Sequence, residues 1–447
     1  MTEATTLTQA GTETDTQATD ALDVLVGIAP GSALAAVRER RPEATAHAQG
    51  SFDALLRPVS EEHATVAERA AVALFVARLH GDPAGIALYG GLLRLAEGGE
   101  ALEALIVAEA GRAQGSGPYG AFRAENAPES TEGPEYAVDS FEAAYGLGER
   151  LAAALEHAHL LVLHPRDASR EALQALLDAG WSTTGIVTLS QLVAFLTFQL
   201  RVAAGLRAVA GPQAVVSDFG SYLRSSEQKS LTTPVGGGAD AADAAAHVPE
   251  VLPAAPRVAE PPRFTREPLG WKPWLEPLPV AEFTERHYAA LVERERVHMP
   301  YFRLLARDPE ALLERTLTDL DIFFNTDEGL PRREREFAAA ASSRFTGCVF
   351  CASVHARFAV EQGADPADVD ALLDQGVSAW AERSGRLAAI VDATVALTAT
   401  PPRFGAAEVA RLRAEGLGEL ELLDAIQSAA FFNWANRLML SLGEPTA

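Results

Sequence analysis

The sequence predicts an all-α protein built as two tandem helical bundle domains joined by a Pro/Gly/Ala-rich linker. Three observations carry that expectation. Apolar residues recur at three-to-four spacing along most of the chain, and alternating β-branched runs bounded by hairpin turns are missing. Two long stretches, 236 positions apart, align without a gap. Between them lies a segment too poor in large apolar groups to offset its chain entropy by burial.

From the N-terminus, residues 1–20 are rich in Thr and acid, with neither a basic start nor an apolar run. They are expected to form a disordered tail rather than a signal peptide. The first bundle spans 21–210. Its most apolar stretch, Leu189 to Leu206, is interrupted by Ser190, Gln191, Gln199 and Arg201, which suits a buried helix and not a membrane span. Residues 211–262 form the linker, and 263–447 the second bundle. Helices are expected there over 309–324, 332–345, 348–362, 366–375, 382–398, 406–415 and 419–442. Gly363, Gly376 and Gly416 stand at C-caps, and Asp365-Pro366 and Gly405 at starts. The PLGWKPWLEPLP segment, with Trp271 and Trp274, is stiff and aromatic and is expected to clamp the linker onto the second bundle or a neighbouring subunit.

The alignment that suggests duplication pairs Pro165 with Pro401, Gly180 with Gly416, Gln191 with Gln427, Phe195 with Phe431 and Arg201 with Arg437. Upstream, Glu68 meets Glu336 at a shift of 268, so the first copy carries about 32 extra residues. These include GSGPYGAFRAENAPESTEGPEY, which reads as a loop.

The chain has 447 residues, with 37 Lys+Arg against 61 Asp+Glu and a net charge of −24. That balance argues against a phosphate-backbone binder, so no nucleic-acid partner is expected, and no membrane partner either. There are 2 cysteines, Cys348 and Cys351. So few exclude a disulfide scaffold, and in the reducing cytoplasm expected here a close pair is redox-active or metal-binding. If Cys348 opens a helix after the Thr346-Gly347 break, Cys351 at i+3 and His355 a further i+4 share one face. Glu336 lies on the preceding helix, and a helical hairpin would fold it over the pair. A thiol must become a thiolate to attack a peroxide oxygen, and an adjacent base supplies that change. The resulting sulfenic acid needs a second thiol, and the leaving alkoxide needs a proton donor.

Zinc would find three soft ligands in Cys348, Cys351 and His355, but no second knuckle follows, so no metal is expected. Glu334 reads as part of a solvated face within the RREREF charge run. Gln427, Asn433, Trp434 and Asn436 read as core, and His287, His298, Tyr288 and Tyr301 as weaker candidates for lining a pocket. No flavin, haem or nucleotide motif is visible, and no cofactor is expected.

The stretch REREFAAAASSRFTGCVFCASVHARFAVEQG resembles the Glu-x11-Cys-x-x-Cys-x3-His motif of the alkylhydroperoxidase D (AhpD)-like, or carboxymuconolactone decarboxylase-type, family. The closing AFFNWANRL resembles that family's last helix. The resemblance covers most of the second half and, more weakly, the first. It implies an all-α fold, thiol-dependent reduction of a hydroperoxide substrate and a homo-oligomer, dimer or trimer. It also implies an external reductant of dihydrolipoamide or thioredoxin type. By resemblance Cys351 is the attacking thiol, Cys348 the resolving thiol, and His355 with Glu336 the proton relay. Family members carry a further His just before the later cysteine, where this chain has Phe350. The first copy keeps Glu68 but has His80 and Pro83 at the thiol positions, so it should be silent. Alternatives are a general dithiol–disulfide oxidoreductase, or a non-catalytic helical scaffold that senses redox state.

Overall fold

The computed structural model describes residues 20–211, 219, 220, 222, 223, 250–252, 259, 261–325 and 327–447. The expected tail up to residue 19 and most of the expected linker over 211–262 lie outside the described residues. Asp20, placed in the tail by sequence, instead caps the first helix by accepting from the Asp23 amide.

The fold is all-α. The first half contains α1 (Ala21–Val26), α2 (Ala33–Arg38), α3 (Pro42–Leu56), α4 (Val66–Leu79), α5 (Pro83–Leu95), α6 (Gly99–Arg112), α7 (Phe141–Leu163), α8 (Arg170–Asp178) and α9 (Thr183–Ala210). The second contains α10 (Glu285–Ala290), α11 (Pro300–Leu305), α12 (Pro309–Phe324), α13 (Arg332–Thr346), α14 (Val349–Glu361), α15 (Pro366–Gln375), α16 (Arg386–Thr398), α17 (Ala406–Ala414) and α18 (Glu419–Ser441). Short polar side chains start many of them. Ser32, Asp82, Ser140, Ser169, Ser182, Asp308 and Asp365 each accept from a first-turn amide, and Thr65 with Glu68 forms a capping box. The helix expected from residue 382 begins only at Arg386, because Gly385 at φ +97° turns the chain immediately before it.

One departure is a small sheet. β1 (Gly270–Pro273) pairs antiparallel with β2 (Gly443–Thr446), Trp271 lying opposite Pro445. The Trp271 indole also donates to the Met439 carbonyl at 3.0 Å. The aromatic segment thus clamps the C-terminal end of the chain.

The two halves share one core. α9 and α18 are buried along nearly their whole length and pack on each other, with Phe195 and Trp434 edge-to-face at 5.2 Å and Phe198 against Phe431 at 6.0 Å. By length and composition α9 could cross a bilayer, but its most apolar window is wholly buried in protein. α3 packs on α12 in the same manner. A continuous apolar cluster runs through residues of both halves, and a smaller one around Phe337 and Trp380 lies under α13 to α16. Polar ties cross the same boundary. Arg41 meets Asp424 at 2.9 Å with both side chains buried, and Arg335 approaches that carboxylate at 3.3 Å.

The helices α3 to α9 and α12 to α18 follow one another in similar order. α8 and α17 lie 236 positions apart, as do the starts of α9 and α18. Arg201 donates to the Thr398 carbonyl, and Arg437 donates to the Val162 carbonyl, its counterpart at the same shift. The halves differ most between α6 and α7, joined by residues 113–140, where residues 376–385 suffice in the second half.

Candidate active site

α13 ends at Thr346, and Gly347 takes a left-handed conformation at φ +95°, its amide donating to the Ser343 carbonyl. Cys348 follows at the N-cap of α14, so the chain reverses within two residues and α14 packs back along α13. This hairpin brings Glu336 to His355. Nδ1 of His355 lies 2.6 Å from Oε2 of Glu336. A carboxylate oxygen only accepts, so Nδ1 carries the proton of that contact and Nε2 is left to exchange one. The other Glu336 oxygen accepts from Arg332 Nε at 3.0 Å, and Glu336 itself is fully buried. Phe432 stands edge-on to the imidazole at 4.1 Å, with Phe323 and Phe358 beyond it.

Both cysteines are free thiols and buried, Cys348 at 2% exposure and Cys351 at 5%. Cys351 is the third residue of α14, one turn before His355, where the helix N-terminus favours a thiolate. Burial outweighs that: it pushes the Cys351 thiol well up, and the adjacent Cys348 and then Asp319 add to the effect, while Arg315 opposes it. The resting Cys351 is a neutral thiol.

Arg315 and Asp319, both from α12, were not singled out in the sequence. At i and i+4 they look like an ordinary surface pair. Their side chains are 4.0 Å apart, and Arg315 is buried with its guanidinium 5.1 Å from the Phe431 ring and 5.8 Å from that of Tyr301. Its Nε has no hydrogen-bond partner, nor has the buried Tyr301 hydroxyl, whose phenol is pushed up to about 12 chiefly by burial. Burial also raises the Asp319 carboxyl, which feels Arg315, His355 and Glu336. The site is thus a buried thiol pair, one arginine and a carboxylate–imidazole pair, walled by phenylalanines.

Other predicted residues fall elsewhere. Glu334, read as solvated, is buried and pairs with Arg386 at 2.9 Å, because α16 crosses over that part of α13. Gln427, Asn433, Trp434 and Asn436 are core residues, with Asn436 accepting from the Ser343 hydroxyl at 2.9 Å. His287 caps α10 rather than lining this site. Phe350 packs partly buried against the apolar core. In the first half, His80 is buried between the Val76 carbonyl and Arg201 Nη1 at 2.8 and 2.7 Å, and Pro83 opens α5. Glu68 faces Arg150 at 2.6 Å. Among the described residues, no group of three or more His, Cys, Asp or Glu side chains is placed to hold a metal ion.

No curated protein and no solved structure matches the chain. Residues 309–396, from the first residue of α12 to near the end of α16, do match the carboxymuconolactone decarboxylase family, and Glu336, Cys348, Cys351 and His355 all fall inside that stretch.

Proposed function

We propose that the protein is a thiol-dependent hydroperoxide reductase working through a Cys348–Cys351 disulfide cycle. The observation that carries this reading is the 2.6 Å contact between His355 and the buried Glu336, one helical turn from a pair of buried thiols. The Cys351 sulfur attacks the terminal peroxide oxygen, forming an S–O bond as the O–O bond breaks. The thiol proton passes to His355 Nε2, and the relay returns a proton to the departing alkoxide, so the products are a sulfenic acid and an alcohol. Arg315 is the cation that opposes the cost of charge on the sulfur as the proton leaves. The Cys348 thiol then displaces water from the sulfenic acid to give the disulfide, and an external dithiol returns two electrons and two protons.

The burial of both sulfurs favours a small hydroperoxide over a protein disulfide, and a slender dihydrolipoamide-like reductant over a broad protein surface. Peroxide consumption with dihydrolipoamide and with thioredoxin tests the reading. Cys351→Ser should abolish turnover, and Cys348→Ser should consume about one equivalent and stall. Glu336→Gln, which cannot balance the charge on His355, should lower the rate roughly 10²-fold. Wild-type turnover in Cys351→Ser would overturn the assignment, and a rate equal to that of free dithiol would favour the redox sensor.

The chain also reads as two copies of one domain, of which only the second holds thiols. The matching order of helices and the reciprocal contacts of Arg201 and Arg437 support this. Two copies in one chain supply an interface that identical subunits would otherwise make.

A further inference from the structure

A second candidate site lies in the first half, lined by none of the residues of the thiol site. A cavity of about 720 Å³ sits beneath the α6–α7 connection, which is far shorter in the second half. That volume is in the range of small-molecule sites, roughly 300–1,000 Å³. Residues 120–136 supply its roof, α7 its floor and α8 one wall. The roof is pinned rather than loose. Gly120 bridges Thr131, and Arg166 donates to the carbonyls of Gly120 and Pro118 at 2.9 and 2.8 Å.

The floor carries two buried imidazoles, His157 at 4% and His159 at 3% exposure. Each has a ring nitrogen without a partner, Nδ1 of His157 and Nε2 of His159, and leaving such atoms unpaired in the interior is costly. Burial lowers their titration to about 3 and about 4, so both are neutral near pH 7. Tyr136 tilts against His159 with ring centres 5.2 Å apart. Around them the charged lining is wholly acidic, consisting of Glu132, Glu135, Glu156 and Asp167, with no Lys or Arg.

We propose that this cavity binds a small organic cation with a flat aromatic body. The acidic lining attracts a positive group and repels carboxylates and phosphates. The Tyr136 and His159 rings offer π faces to the flat body and its charge.

Calorimetry on the full chain with tryptamine and benzylamine, against indole-3-acetate and benzoate, tests the proposal. Saturable one-to-one binding of an amine is expected, at least about tenfold tighter than its carboxylate counterpart. Ala153→Phe, which fills the cavity from α7, and Glu156→Gln, which keeps an acceptor for the Val138 amide, should each weaken it about tenfold or more. Cys351→Ser should bind as the wild type does, which separates this site from the thiol chemistry. No saturable amine binding up to about 1 mM, equal binding of the carboxylates, or binding indifferent to both cavity variants would each overturn the proposal.

Discussion

Cys351 stands under two opposing influences: the N-terminal turn of α14 favours its charged form, and the surrounding core disfavours it. Burial wins, and Arg315 offsets only part of it. The consequence is a thiol whose reactivity climbs with pH. Alkylation by iodoacetamide should accelerate by about tenfold per pH unit between roughly pH 7 and 9, without levelling off. A plateau below about pH 8 would contradict the placement of this thiol in the core. The same shift acts on stability. The unfolded thiol, ordinarily near 8.5, loses its proton before the folded one as pH rises, so Cys351 contributes a loss of stability above roughly that pH. Beside it, one carboxylate, that of Glu336, serves both His355 and Arg332.

At the scale of elements, the reversal between α13 and α14 does the positioning. Gly347 adopts a backbone conformation that L side chains rarely take, and a Cβ there would lie 2.5 Å from Arg166 Cδ. Arg166 in turn donates to the Phe345 carbonyl and to the roof of the first-half cavity. Gly347→Ala should therefore cost about 1–3 kcal/mol and lower the melting temperature by several degrees. An unchanged melting temperature in calorimetry would show that the turn relaxes freely. Gly376, at φ +75°, closes α15 in the manner expected from sequence.

At the scale of the molecule, the halves depend on each other. Asp424 accepts from Arg41 of the first half and stands 3.3 Å from Arg335 of the second, all three buried. Asp424→Ala leaves two buried cations unpaired and should destabilise the chain by about 3–5 kcal/mol, read from urea unfolding. A fragment of residues 263–447 would expose the α18 face that α9 covers and should aggregate; a soluble, monodisperse and fully active fragment would refute that dependence. Acid should unfold the protein early. His80, His157 and His159 are held neutral by burial, His157 to about 3 and His159 to about 4. As pH falls below roughly 6.5 the unfolded chain binds these protons first, so stability is lost, by about 4 kcal/mol per unit for the three together. Unchanged urea midpoints between roughly pH 6 and 4.5 would contradict this.

The all-α class, most helix boundaries and the approach of His355 to Glu336 were legible in the chain because they depend on local spacing. Three- and four-residue periodicity, Pro and Gly punctuation and a helical hairpin suffice to bring those side chains together. The charge state of Cys351, the burial of Glu334 and the part played by Arg315 and Asp319 were not legible. Each depends on which distant helix covers the residue, and nothing in an i, i+4 pair says whether it will face water or protein. The cavity beneath residues 120–136 belongs with these. Its loop was visible as an insertion, but its volume exists only because that loop folds onto α7 and α8.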